Sequence, residues 1–189
     1  MIKSSRNPYG HRNLLAYKKA EELQLVLSEY ISSHFVPFKP LASLADQMQR
    51  SARSTKQNIA EGWKRNSTSE YYQFLGYAIA SNAELEEDCT DIIKGIYGNK
   101  GLERVGLKKW GELESIPFYP LDPLLPLPVQ LKLRTKELNF LLTQLQTSLV
   151  SKMKKEKTLS VADRMQASQQ KETASRNELQ VYLQKRGWD

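Results

Sequence analysis

A chain of 189 residues is long enough for one domain with a sizeable core and some excess, and its 26% charged and 40% apolar residues are those of a soluble globular protein. A single cysteine, Cys89, excludes an internal disulfide and fits a reducing compartment, and no stretch approaches the ~18–20 uninterrupted apolar residues of a membrane span. The net charge of +7 leans toward polyanionic partners.

Charge is unevenly spread along the chain. Residues 1–65 carry eleven Lys/Arg against five Asp/Glu, residues 66–97 one against six, and residues 127–157 seven against two. If these segments are packed helices, the molecule is electrostatically polarised, which can steer a polyanion or pair one subunit with the next. The polar start of the chain lacks the apolar run of a signal peptide, so the expected location is the cytoplasm, with no membrane partner.

The first periodic stretch, 13–35, places Ala16, Ala20, Leu23, Leu27, Tyr30 and His34 at strides of four and three, with Asn13 as its N-cap. Pro40 suits the first turn of a second helix over 41–63, with Leu41, Leu44, Met48, Ala52, Thr55 and Ile59 inward. Gly62 falls where that helix would weaken or stop. Ser67 and Glu70 have capping-box spacing and open a third helix, whose stripe of Tyr71, Phe74, Leu75, Ala78, Asn82, Leu85, Cys89, Ile92 and Ile96 runs to about residue 97. Helices of this length span ~35–45 Å, which is bundle-like.

Between residues 98 and 126, Gly98, Gly101, Gly106 and Gly111 mix with Pro117, Pro120, Pro123 and Pro126, which excludes a long helix. Trp110, Ile116, Phe118, Tyr119 and Leu121 still need a dock, so an ordered connection packed on the bundle end is expected. A fourth helix follows over 128–155, burying Leu131, Leu138, Leu142, Leu145, Leu149 and Met153. Residues 158–175 are rich in Ser, Gln and Thr and read as a tether, with a short helix over 177–186 carrying Leu179 and Leu183. The predicted fold is all-α: an antiparallel up-and-down four-helix bundle domain over 1–157, and a polar C-terminal tail over 158–189.

Residues 47–62 read Gln-Met-Gln-Arg-Ser-Ala-Arg-Ser-Thr-Lys-Gln-Asn-Ile-Ala-Glu-Gly. This resembles the second-helix signature of the bacterial 23S rRNA intervening-sequence family, a Gln-apolar-x-Arg start followed by Asn-Ile-Ala-Glu-Gly. The third helix is similar too, in Glu70-Tyr71, Phe74-Leu75, Ala78, and Ser81 ahead of Glu84-Leu85-Glu86, as is Tyr17-Lys18-Lys19-Ala20 in the first. The resemblance covers roughly residues 14–97. Arg53, Thr55 and Lys56 depart from it, standing where members usually carry apolar or small residues, and the 98–126 connection and 158–189 tail look like additions. The resemblance implies an antiparallel four-helix bundle, often a ring-shaped pentamer. Members are encoded within ribosomal RNA intervening sequences, and relatives act as accessory proteins of diversity-generating retroelements that bind nucleic acid and a reverse transcriptase.

Arg50, Arg53, Lys56 and Gln57 share one face of the second helix, and Lys64 and Arg65 extend its positive charge. Two readings stand: a surface that contacts phosphates, or a solvated face paired with the acids of helix three. Those acids, Glu84, Glu87, Asp88 and Asp91, could hold metals only with Glu-x-x-His pairs, and neither His11 nor His34 has that spacing. No metal or cofactor is therefore expected. Asn58, Glu61, Gly62, Ser81 and Glu84 form the signature, with a structural polar network as the expected role. Glu61, beside the apolar stripe, would need hydrogen bonds or a cation if buried. Cys89 reads as a small core residue.

No phosphate loop, Ser/His/Asp set or zinc spacing is present, so an enzyme is not expected. The functional expectation is a homo-oligomeric, non-enzymatic bundle that binds nucleic acid, RNA before DNA, through Arg50, Arg53, Lys56, Lys64 and Arg65. It would serve as an accessory protein, with a reverse transcriptase or other ribonucleoprotein as partner. The alternative is a homo-oligomeric assembly module without nucleic-acid contact.

Overall fold

The computed structural model describes residues 7, 9–35, 41–98, 116, 118–158 and 160–185, and among them no strand forms. Among the described residues a 3-10 turn, Gly10–Asn13, is followed by the helices α1 Leu15–His34, α2 Ala42–Lys64, α3 Thr68–Ile93, α4 Leu127–Thr158 and α5 Val161–Lys185. Pro40, Trp110, Pro117 and the glycines at 101, 106 and 111 lie outside the described residues.

Helices α1 to α4 pack α1 on α2, α2 on α3, α3 on α4 and α4 on α1, closing a ring around one apolar core. The cross-helix bonds fix its direction. Gln47 meets Asp88, Ser51 meets Glu84 and Ser54 meets Ser81, so numbers rise on α2 as they fall on α3. Lys19–Glu137 and Glu22–Arg134 show the same opposition between α1 and α4, and Tyr72–Gln146 and Asn82–Thr135 between α3 and α4. The bundle is therefore up-down-up-down.

The stripes behave as their spacing requires. Leu23, Leu27, Leu41, Met48, Ile59, Leu75, Leu85, Leu131, Leu138 and Leu142 are all buried. Two stripe positions at helix ends are corrected. His34 is exposed, its ring stacked on Tyr30 with Nδ1 3.0 Å from that residue's carbonyl, while Ile31 and Phe35 fill the core. Ile96 is exposed because α3 stops at Ile93. Gly95 adopts φ 76, and the N–H groups of Gly95 and Ile96 return to the carbonyls of Ile92 and Asp91. That left-handed turn satisfies the last carbonyls and ends the helix.

Capping holds in one place and fails in another. The Ser67 hydroxyl accepts the Glu70 N–H at 3.1 Å, and the Glu70 carboxylate accepts that hydroxyl at 2.8 Å, a reciprocal lock on the start of α3. Asn13 caps nothing in α1, because it lies within the preceding 3-10 turn and extended Leu14 intervenes. Gly62 likewise does not stop α2, which continues to Lys64.

The connection before α4 docks as expected where it is described. Ile116, Phe118, Leu121 and Leu125 pack against buried Ile93, Val129 and Leu133, a second apolar cluster; Tyr119 is exposed. Beyond α4 the expected tether is helical: α5 begins at Val161, sixteen residues before the short helix expected from 177. Its start carries an unrecognised cap of the Ser67 kind, with the Ser160 hydroxyl accepting from the Asp163 N–H at 3.1 Å and donating to its carboxylate at 2.6 Å. A polar helix needs no apolar stripe when it has a cap and straight-chain residues of high helix propensity.

Candidate nucleic-acid interface

On α2 the signature residues divide between two sides of one helix. Gln47, Ser51, Ser54 and Asn58, at strides of four, three and four, turn toward α3. Gln47 Nε2 donates to both Asp88 carboxylate oxygens at 3.0 and 3.3 Å, and the Ser51 hydroxyl donates to Glu84 at 3.2 Å. Ser81 donates to the Ser54 hydroxyl at 3.1 Å, and Asn58 Nδ2 to the same oxygen at 3.2 Å. The α2–α3 seam is thus closed by uncharged donors, in the polar network expected for Asn58, Ser81 and Glu84. From sequence, Gln47 enters only as the start of the motif, and Ser51 and Ser54 are assigned no role; uncharged polar residues at helical stride beside an apolar stripe are the signal for this seam.

The arginines face elsewhere. Arg50 is exposed and pairs with Asp46 of its own helix at 2.9 Å. Arg50 and Arg53 border a groove of about 510 Å³ between α1 and α2, with Gln24, Ser28, Asp46 and Gln49. Lys56 is half-buried, Lys64 exposed. Arg65 turns to the α3 side, its guanidinium 4.1 Å above the Phe74 ring and 3.6 Å from Glu61. Glu61 corrects the expectation of a carboxylate beside the core. It is exposed, because the close approach of α2 and α3 is made one residue on, at Gly62.

The acidic face of α3 is likewise divided. Glu84 and Glu87 are exposed, Asp91 is half-buried, and Asp88 is only 6% exposed. Burial, then the charge of Asp91, pushes the Asp88 carboxyl up to about 6; the Gln47 hydrogen bond opposes this, and Glu84 adds to it. An acid with a raised native pKa costs stability as pH rises. Below about pH 4 it is protonated folded and unfolded alike, and between about 4 and 6 only the unfolded chain ionises. Asp88→Asn should therefore leave stability unchanged near pH 4 and raise it progressively to a plateau above pH 6. Urea midpoints measured across that range check this, and a gain independent of pH would contradict it.

Two further charged groups were not foreseen. Lys132, buried on α4, donates to the Thr90 hydroxyl at 2.8 Å. Beside it, burial raises the Glu86 carboxyl, an effect opposed by the Lys132 charge and by Asn139, which donates to Glu86 at 3.0 Å. Across α1 and α4, Lys19 bonds Glu137 at 3.1 Å, and Arg134 bonds Glu22. Cys89 is buried, and burial raises its thiol above the usual range. Among the described residues no cluster of His, Cys, Asp and Glu could hold a metal, and no helix is long and apolar enough to cross a membrane.

Four long helices packed around one core, with a hydrogen-bonded polar seam between α2 and α3 and exposed cations on α2, define the class: an all-α bundle protein. A model of the 23S rRNA-intervening sequence protein family matches residues 12–96, a little under half of the chain, from the first turn through α3; it is the family that the motifs of α2 and α3 resemble. No curated protein and no solved structure matches the chain.

Proposed function

We propose that the chain is a non-enzymatic, homo-oligomeric bundle of the cytoplasm that binds nucleic acid, RNA in preference to DNA, through the outer face of α2. Its work would be that of an accessory or scaffold to a ribonucleoprotein partner such as a reverse transcriptase. One observation carries this reading. Among the described residues, Asp88 and Glu84 of α3 are met by Gln47 and Ser51, while Arg53 and Lys64 are exposed and Arg50 is exposed beside Asp46 of its own helix. Long cations left on a solvent face are the groups that meet phosphates without regard to sequence.

Each phosphate contact displaces condensed counterions, so log affinity should fall against log salt by about 0.7–0.9 per contact. The double variant Arg53→Gln, Lys56→Gln should flatten that slope by about 1.4–1.8 units per engaged protomer, with no change in sequence preference. Lys185→Gln with Arg186→Gln, in the C-terminal extension, is the control and should matter less. Absence of binding at low salt, or a slope unmoved by the double variant, would overturn the proposal.

The second reading, an assembly module without nucleic-acid contact, is favoured by a different observation. Glu84 and Glu87 on α3 and the cations of α2 are exposed in one molecule, so a second copy could pair one face with the other. Sedimentation separates the two: loss of the oligomer in the Arg53, Lys56 variant would show that the stripe holds subunits together. The pentamer is favoured by family resemblance alone.

A further inference from the structure

We infer that Tyr77, with the Phe74–Arg65 pair beside it, is a stacking platform for an unpaired base, so that the nucleic acid taken by the α2 face is single-stranded. This rests on the reading of the α2 face as a phosphate-contacting surface. Tyr77 is an aromatic on the α2 side of α3 and yet 57% exposed. Its ring meets Phe74 edge to face, with centroids 5.7 Å apart at 79°. Phe74 is covered by the Arg65 guanidinium, so it cannot offer the same face to a ligand. That cover leaves Tyr77 as the open ring of the group, anchored on Phe74, which in turn carries the planar cation.

The charges around it favour a nucleic-acid strand. Lys64 and Arg65 close the cationic face of α2 at this end of the bundle. The nearby carboxylates are engaged: Glu61 with Arg65, and Glu70 with the Ser67 hydroxyl. Glu84 and Asp88 lie about two and three turns further along α3, where Ser51 and Gln47 donate to them. Every base has a π-face, so an aromatic ring flanked by cations binds single strands with little sequence preference. A duplex keeps its base faces stacked inside and gains nothing from such a ring.

The test measures fluorescence-anisotropy affinities of the full-length protein for three probes of equal length: a mixed-sequence single strand, its duplex, and a strand with abasic sites. Tyr77→Ala should weaken single-strand binding by about five- to 150-fold while leaving duplex and abasic binding and the salt slope in place. Tyr77→Phe, which keeps the ring, should bind as the native protein does, and circular dichroism confirms that each variant folds. If Tyr77→Ala binds the single strand as tightly as the native chain, or weakens all three probes equally, the stacking role is overturned while the α2 reading survives. Absence of any binding by the native protein at low salt removes both.

Discussion

Leu85→Ala and Leu142→Ala are each expected to lower the unfolding free energy by about 2–5 kcal/mol. Both leucines are wholly buried in the single main core, Leu85 on α3 and Leu142 on α4. Truncation removes four carbons' worth of contacts less one, and the long straight helices around the site collapse only partly into the space left. Because a domain of this size is held by roughly 5–15 kcal/mol, either change consumes a large part of the margin. Urea denaturation gives the measurement. A loss below about 0.5 kcal/mol at both positions would mean that the stripes on α3 and α4 do not face the core.

Gly62 is a second sensitive position. A Cβ there would stand 2.7 Å from Tyr71 Cδ2 and 2.8 Å from Phe74 Cβ, both on α3. Phe74 Cβ is fixed to the backbone, so it can yield only if the helix moves. Gly62→Ala should recover about 1 kcal/mol of helix propensity in α2 and still be destabilising, since forced overpacking costs about 1–3 kcal/mol. Gly62→Val, with its branched carbon, should cost more. Thermal or denaturant unfolding decides it, and a stabilised Gly62→Ala protein would show that α2 and α3 are not pressed together at this point.

The motif residues of α2 and α3 thus have a packing explanation. Gly62 is present because two helix backbones approach, and Asn58, Ser54 and Ser81 are present because a seam between helices must satisfy its polar groups. Neither requirement concerns a ligand. Arg53, exposed, and Lys56, half-buried, lie on α2 away from that seam.

The helices themselves were legible because helix formation is local. Strides of three and four and a Ser-x-x-Glu start are properties of neighbouring residues on one chain, and α1 to α4 lie where those signals put them. The errors of extent have local causes as well. Gly95 ended α3 before Ile96, and Ser160 with Asp163 opened α5 where composition alone suggested a tether.

What only the tertiary structure decided is which polar side chains meet. Periodicity tells that Asp88 and Glu61 each border an apolar stripe, but not that the first is covered by Gln47 while the second is open to solvent. Nor does it tell that Arg65 comes to rest over Phe74, or that Lys132 lies against Thr90. Those pairings depend on how far each helix is rotated and shifted against its neighbours. That register is set by the fit of the whole core, with Gly62 letting α2 approach α3, and is written in no single segment.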